Sequence, residues 1–193
     1  MMPSVRATLR RAVDESREVD NPLPLEFTVS MALGVAWTGS EMDRNGVVSD
    51  FALALIEILD PRHDDDHLLL AAIEALSPEP AASAAAHVKR VEPATAEPTV
   101  WWADAIGNVE LVDLVCATDL YGDQTNHVMA FAYRRPDGTL VAEHTLIVLL
   151  DFNLNLVKDM FGVPGLDAVD FLRAEAAATG ELVVTEMADL DLA

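Results

Sequence analysis

Apolar and polar positions change rhythm about halfway along the chain. Up to about residue 91 the apolar residues recur at helical spacing, and after Asn108 they alternate or run together as strands do. Val5, Leu9, Ala12 and Val13 fall three and four apart with arginines between them, which predicts an amphipathic helix ending before Asn21-Pro22. Leu25, Phe27, Val29, Met31, Leu33, Val35 and Trp37 then alternate as a strand would, yet Ala32, Gly34 and Ala36 between them are small rather than polar. A strand and a buried helix starting after Pro24 both fit, and the helix is the reading carried forward. Residues 39–46 read as a polar loop. Ser49 and Asp50 are placed to cap a helix from Phe51 to Leu59, with Leu55, Ile58 and Leu59 on its apolar face and Pro61 closing it. His63 and Asp64 stand at the start of another helix that reaches about Leu76 and stops at Ser77-Pro78. An Ala-rich helix over Ala81 to Val91 follows.

The proline-containing stretch Glu92 to Pro98 reads as a linker, with residues 93–98 separating a helical region, 1–92, from a sheet region, 99–193. In the second region Val109, Leu111 and the run Leu114 to Ala117 predict a strand, and Asp119 to Asn126 a polar loop. Val128 to Arg134 predicts a second strand, Pro136-Asp137-Gly138 a hairpin turn, and Thr139 to Phe152 a long third strand. A short helix around Leu154 to Met160 is expected, capped by Asp151 or Asn153 and carrying Lys158 and Asp159 on its surface. A helix from Leu166 to Ala178 ends at Gly180, and Leu182 to Met187 reads as a last strand. Helices first and an antiparallel meander with flanking helices afterwards make this an α+β chain.

Charge narrows the partners. Twelve Lys and Arg stand against thirty-three Asp and Glu, a net charge of −21. Such a field repels phosphate backbones and anionic lipid, so neither nucleic acid nor membrane is an expected ligand, and a basic protein is. No secretory signal follows the N-terminal arginines and no apolar run is long enough to span a bilayer, which sets the expectation of a cytoplasmic location. The single cysteine, Cys116, excludes an internal disulfide and sits in an apolar run, as a buried structural thiol does.

Candidate chemistry is sparse. His63-Asp64-Asp65-Asp66-His67 puts His63 and His67 one turn apart if the whole run is helical, which is half of a divalent metal site. The competing reading is that the carboxylates meet the positive end of a helix and His63 precedes it. In the meander, a turn at Asp137-Gly138 pairs residues so that His144 faces Phe131 and His127 faces Val148. The two histidines then share a sheet face about 13 Å apart, too far to hold one metal or one proton. Trp101 and Trp102 cannot both point into a core, so one of them is a candidate interface anchor. Tyr121 and Asp123, in a loop dense in hydrogen-bonding groups, are the other candidate partner contacts. No Gly-rich phosphate loop, Gly-x-Ser-x-Gly, Cys-x-x-Cys or EF-hand loop is present, and no cofactor is expected.

Three stretches carry a resemblance: Ser49 to Asp60 with Asp66-His67-Leu68-Leu69-Leu70-Ala71-Ala72; Tyr121-Gly122-Asp123; and Asp137-Gly138 through Glu143-His144-Thr145 and Val148 to Asp151-Phe152-Asn153-Leu154 and Val157-Lys158-Asp159. Together, over roughly residues 25–165, they resemble uncharacterised actinobacterial proteins in which a helical N-terminal part precedes a small sheet. The resemblance implies that residues 25–90 are helical and transfers no catalytic residue. The leading functional expectation is a non-enzymatic partner-binding or regulatory protein. A small metal-dependent or hydrolytic enzyme built on a His/Asp site is the alternative, and a nucleic-acid mimic ranks last. Homodimerisation through the helical part or a free strand edge is a further expectation.

Overall fold

The structure, a computed structural model, describes residues 2–38, 44–91 and 99–186. The chain divides into two compact units, residues 1–108 and 109–193. The expected linker at 93–98 and most of the expected loop at 39–46 lie outside the described residues, as do the last residues after Glu186.

The first unit is helical. Helix α1 spans Met2–Glu18, α2 Leu23–Thr38, α3 Arg44–Ile58, α4 Asp64–Leu76 and α5 Pro80–Arg90, and a 3-10 turn at Ala103–Ala105 follows Trp102. Leu9, Ala12 and Val13 of α1, Leu25, Val29 and Leu33 of α2, Leu55 of α3, Leu68 to Leu70 of α4 and Trp102 are all buried. Asn21 Oδ1 accepts the Leu23 N–H (2.9 Å) and the fully buried Ser16 Oγ accepts the Leu25 N–H (2.9 Å), so the first free donors of α2 are satisfied. Gly107 closes the unit at φ +75, where a side chain would strain the backbone and a Cβ would lie 2.5 Å from that of Ala75. Its N–H donates to the buried Glu26 Oε1 of α2 (2.6 Å).

Two expectations about this unit are corrected. Ser49 and Asp50 do not cap a helix; α3 begins at Arg44 and carries both in its interior. Ile58 is exposed rather than on the inward face, while Leu55, Ile56 and Leu59 are buried.

The second unit is a five-stranded antiparallel sheet with one helix against it. Strands β1 (Val109–Asp119), β2 (Gln124–Arg134), β3 (Leu140–Asp151), β4 (Leu156–Pro164) and β5 (Leu182–Glu186) lie in the order β4-β3-β2-β1-β5, and α6 spans Asp167–Thr179. The β2–β3 register pairs Phe131 with His144 and His127 with Val148, as the turn at Asp137-Gly138 requires. Gly138 has φ +85 and donates its N–H to the Arg135 carbonyl. Val169 and Leu172 of α6 close a core with Val115, Ala117, Val128 and Ala130 of the sheet. Gly180, left-handed at φ 65, ends the helix.

The helix expected over Leu154 to Met160 is strand β4 instead. Asp151 Oδ1 accepts the Leu154 N–H (3.0 Å) and Asn155 adopts φ 51, which turns the chain back so that Leu156 pairs with Asp151. Asp151 thus braces a hairpin, not a helix cap, and Lys158 lies at a register shift in β4, its Nζ 3.8 Å from Asp151 Oδ2.

Candidate protein-interaction surface

The aspartate run is bound to arginines. Helix α1 spaces Arg6, Arg10 and Arg17 along itself, and α4 opens with Asp64, Asp65 and Asp66. Asp66, whose side chain is fully enclosed, accepts from Arg6 Nη2 (2.6 Å), Arg10 Nη2 (3.1 Å) and the Asp60 N–H (3.0 Å). Arg17 spans Asp64 (2.7 Å) and Asp65 (2.5 Å). Burial raises the Asp64 pKa, but bonds from Thr99 and Arg17 outweigh it and hold the carboxyl below its ordinary value. These carboxylates have their positive partners within the unit.

His63 precedes α4 in an extended conformation, makes no side-chain cap bond and is largely exposed. His67 lies one turn on, buried, its N–H bonded to the His63 carbonyl (2.9 Å) and its Nδ1 without a partner among the described residues. Burial, and then the charge of Arg90, push the His67 imidazole below its ordinary pKa. Among the described residues no three His, Cys, Asp or Glu side chains gather as a metal site.

On the sheet face opposite α6, the row through Cys116, His127 and Val148 holds a close pair: Cys116 Sγ lies 3.1 Å from His127 Nδ1. Burial pushes the Cys116 thiol up, away from the thiolate a nucleophile needs. His144 lies further along the same face, buried and stacked between Phe131 (5.3 Å) and Tyr133 (5.2 Å). Burial lowers its pKa, and its Nδ1 has no partner among the described residues. The sequence missed the cysteine–histidine pair because it took Cys116 alone. The strand register, once assigned, puts the two side by side.

The aromatic candidates separate. Trp102 is fully buried, while Trp101 is partly exposed and donates Nε1–H to Asp20 Oδ2 (2.6 Å). Tyr121 is 88 % exposed at the tip of the β1–β2 turn. Asp119 Oδ1 accepts the N–H groups of both Tyr121 (3.1 Å) and Asp123 (2.9 Å), and the Asp123 carbonyl accepts the Phe152 N–H (2.9 Å).

Helix α2 leaves large apolar side chains exposed. Two residues of helix turn the chain by about 200°, so a period-two apolar pattern on a helix makes two stripes on opposite faces. Leu25, Val29 and Leu33 form the inward stripe. Phe27, Met31 and Val35 form the outward one and remain 50, 55 and 69 % exposed, while Trp37, which continues the row of Leu25, Val29 and Leu33 at the end of the helix, is 50 % exposed. Ser30 and Gly34 lie beside them, and a Cβ on Gly34 would meet nothing within 4 Å among the described residues. The only charged residue of α2, Glu26, is buried beneath Gly107. Helices α1 and α3, both packed against α2, carry exposed carboxylates at Asp14, Glu18 and Asp50. An outward stripe of large apolar side chains without a charge among them is a candidate contact surface.

No described helix is long and apolar enough to cross a membrane. No protein-family model, curated protein or solved structure matches the chain, so the likeness to actinobacterial proteins gains no support from them.

Proposed function

We propose that this protein is a non-enzymatic interaction module that binds a basic protein partner through the helical unit, and that it acts in the cytoplasm as a regulatory or adaptor component. The observation that carries this reading is the outward stripe Phe27, Met31 and Val35 on α2. The net charge of −21 supplies the steering: it draws a cationic partner in from a distance, while the stripe supplies the short-range contact. Trp101 serves as a peripheral contact of the helical unit in this reading and Trp102 belongs to its core, while Tyr121 and Asp123 remain candidate contacts of the sheet unit by itself.

The test is capture from a cell extract by the immobilised protein, at low and at high salt, beside Met31→Glu. A partner retained at low salt, released at high salt and lost in Met31→Glu is the expected result. Retention of nothing at low salt sinks the proposal.

A further inference from the structure

The sheet unit sorts its charges to one side. Val115, Ala117, Val128 and Ala130 face α6, and away from the register shifts residues two apart along a strand share that side. Glu110, Asp113, Asp119, Glu143, Asp151, Asp159 and Glu186, the acidic residues paired in the ladders, all fall on it. Arg134 is bonded to Glu110, Arg173 of α6 bridges Asp113 and Glu186, and Lys158, at the shift in β4, reaches Asp151. The other side holds no Asp, Glu, Lys or Arg at any paired position among the described residues. Leu114, Met129, Leu146 and Val148 in its middle are half-buried, whereas Val115, Val128 and Ala130 beneath α6 are buried. At its two margins Met160 of β4 and Val183 of β5 are 55 and 54 % exposed. An antiparallel sheet ordinarily turns polar residues to water on its uncovered face.

We infer that this face is a contact between two copies of the chain, which pack sheet on sheet about 10 Å apart with an α6 helix on each outer side. Charge selects the occupant. A face without a charge has nothing to pair with a basic partner, and it is where two chains of net −21 meet without setting carboxylate against carboxylate. Area agrees. Five strands about 4.8 Å apart, paired over about seven residues at about 3.3 Å each, give a flat footprint of roughly 550 Å² per copy. Two such faces bury about 1,100 Å² before the relief of the side chains is counted, which is the scale a specific contact needs. The contact proposed for α2 belongs to the helical unit, and each stands without the other.

The test is analytical ultracentrifugation of the full chain over a range of concentrations. A species of twice 20.9 kDa is expected. Met160→Glu and Val183→Glu, at opposite margins of the face, are each expected to raise the dissociation constant by about tenfold or more. Phe161→Glu is the control. Phe161 follows Met160 in β4 and is similarly exposed, at 47 %, but it lies on the α6 side, so this variant leaves the dimer intact. Added salt is expected to tighten the dimer, because it screens repulsion between the copies and breaks no ion pair across the contact. Circular dichroism verifies folding, and if one of the two margin variants unfolds, the other carries the comparison.

A monomer at every concentration overturns the inference. So does a dimer that Phe161→Glu splits as readily as Met160→Glu, which marks an edge contact through β4. A dimer split by Met31→Glu, which places the contact on α2, or one weakened by salt overturns it as well.

Discussion

Asp66 is the residue on which the helical unit's polar interior turns. Its carboxylate is enclosed and takes bonds from two arginines and a backbone N–H. Removing one partner from a buried ion pair costs more than the pair itself contributes, because the remaining charges stay desolvated. Asp66→Asn is therefore expected to lower stability by about 3 kcal/mol, read as a shift of the urea midpoint. His144 sets the acid response of the other unit. Its pKa is lowered by burial, so the unfolded chain takes up a proton at a higher pH than the folded one. Stability is then complete above the ordinary imidazole value of about 6.5 and falls as the pH drops below it towards the depressed folded value. Phe131, Tyr133 and Pro164 are its cross-strand and stacking neighbours, and none offers a counter-charge. His144→Phe keeps the stack and is expected to flatten the fall in melting temperature between neutral pH and pH ~5, leaving the share that His67 contributes through the same sign of shift and the onset of the share from carboxylates held below their ordinary values, such as Glu74.

At the scale of elements, α2 shows why a pattern can be read correctly in type and still conceal its meaning. The alternation from Leu25 to Trp37 looked strand-like because a strand lines residues two apart on one face, whereas a helix turns them about 200° apart and divides the same residues between two opposite stripes. The small residues between them decided for helix, but a pattern with apolar residues on both faces does not say which face the fold will cover. Gly34→Ala is expected to raise stability by about 1 kcal/mol, measured by chemical unfolding, since the added methyl meets nothing. Strand β4 was misread for a related reason. Asn153-Leu154-Asn155 offers both a helix cap and a tight turn, and the choice was made by pairing with β3, which no local signal states. The Asp137-Gly138 hairpin, by contrast, was legible in register as well as existence, because a short turn fixes which residues oppose one another.

For the molecule as a whole, α+β organisation and the separation of helices from sheet were readable from the change in apolar rhythm near residue 108. The candidate surface was not. Every residue of the α2 stripe was visible in the sequence, yet exposure is a tertiary property, and the stripe emerged only when the inward and outward faces were told apart. The aspartate run illustrates the converse. It drew attention as a metal site, and it proves to be the receiving end of an ion-pair network whose donors lie 47 to 60 positions earlier.

That network constrains how the protein can be cut for study. A fragment cloned to begin after residue 18 would keep the acidic opening of the fourth helix and discard the three guanidinium groups that neutralise it. Such a piece would expose its enclosed aspartate to a cavity with no cation in it, so the leading helix belongs in any expression boundary drawn around the helical half.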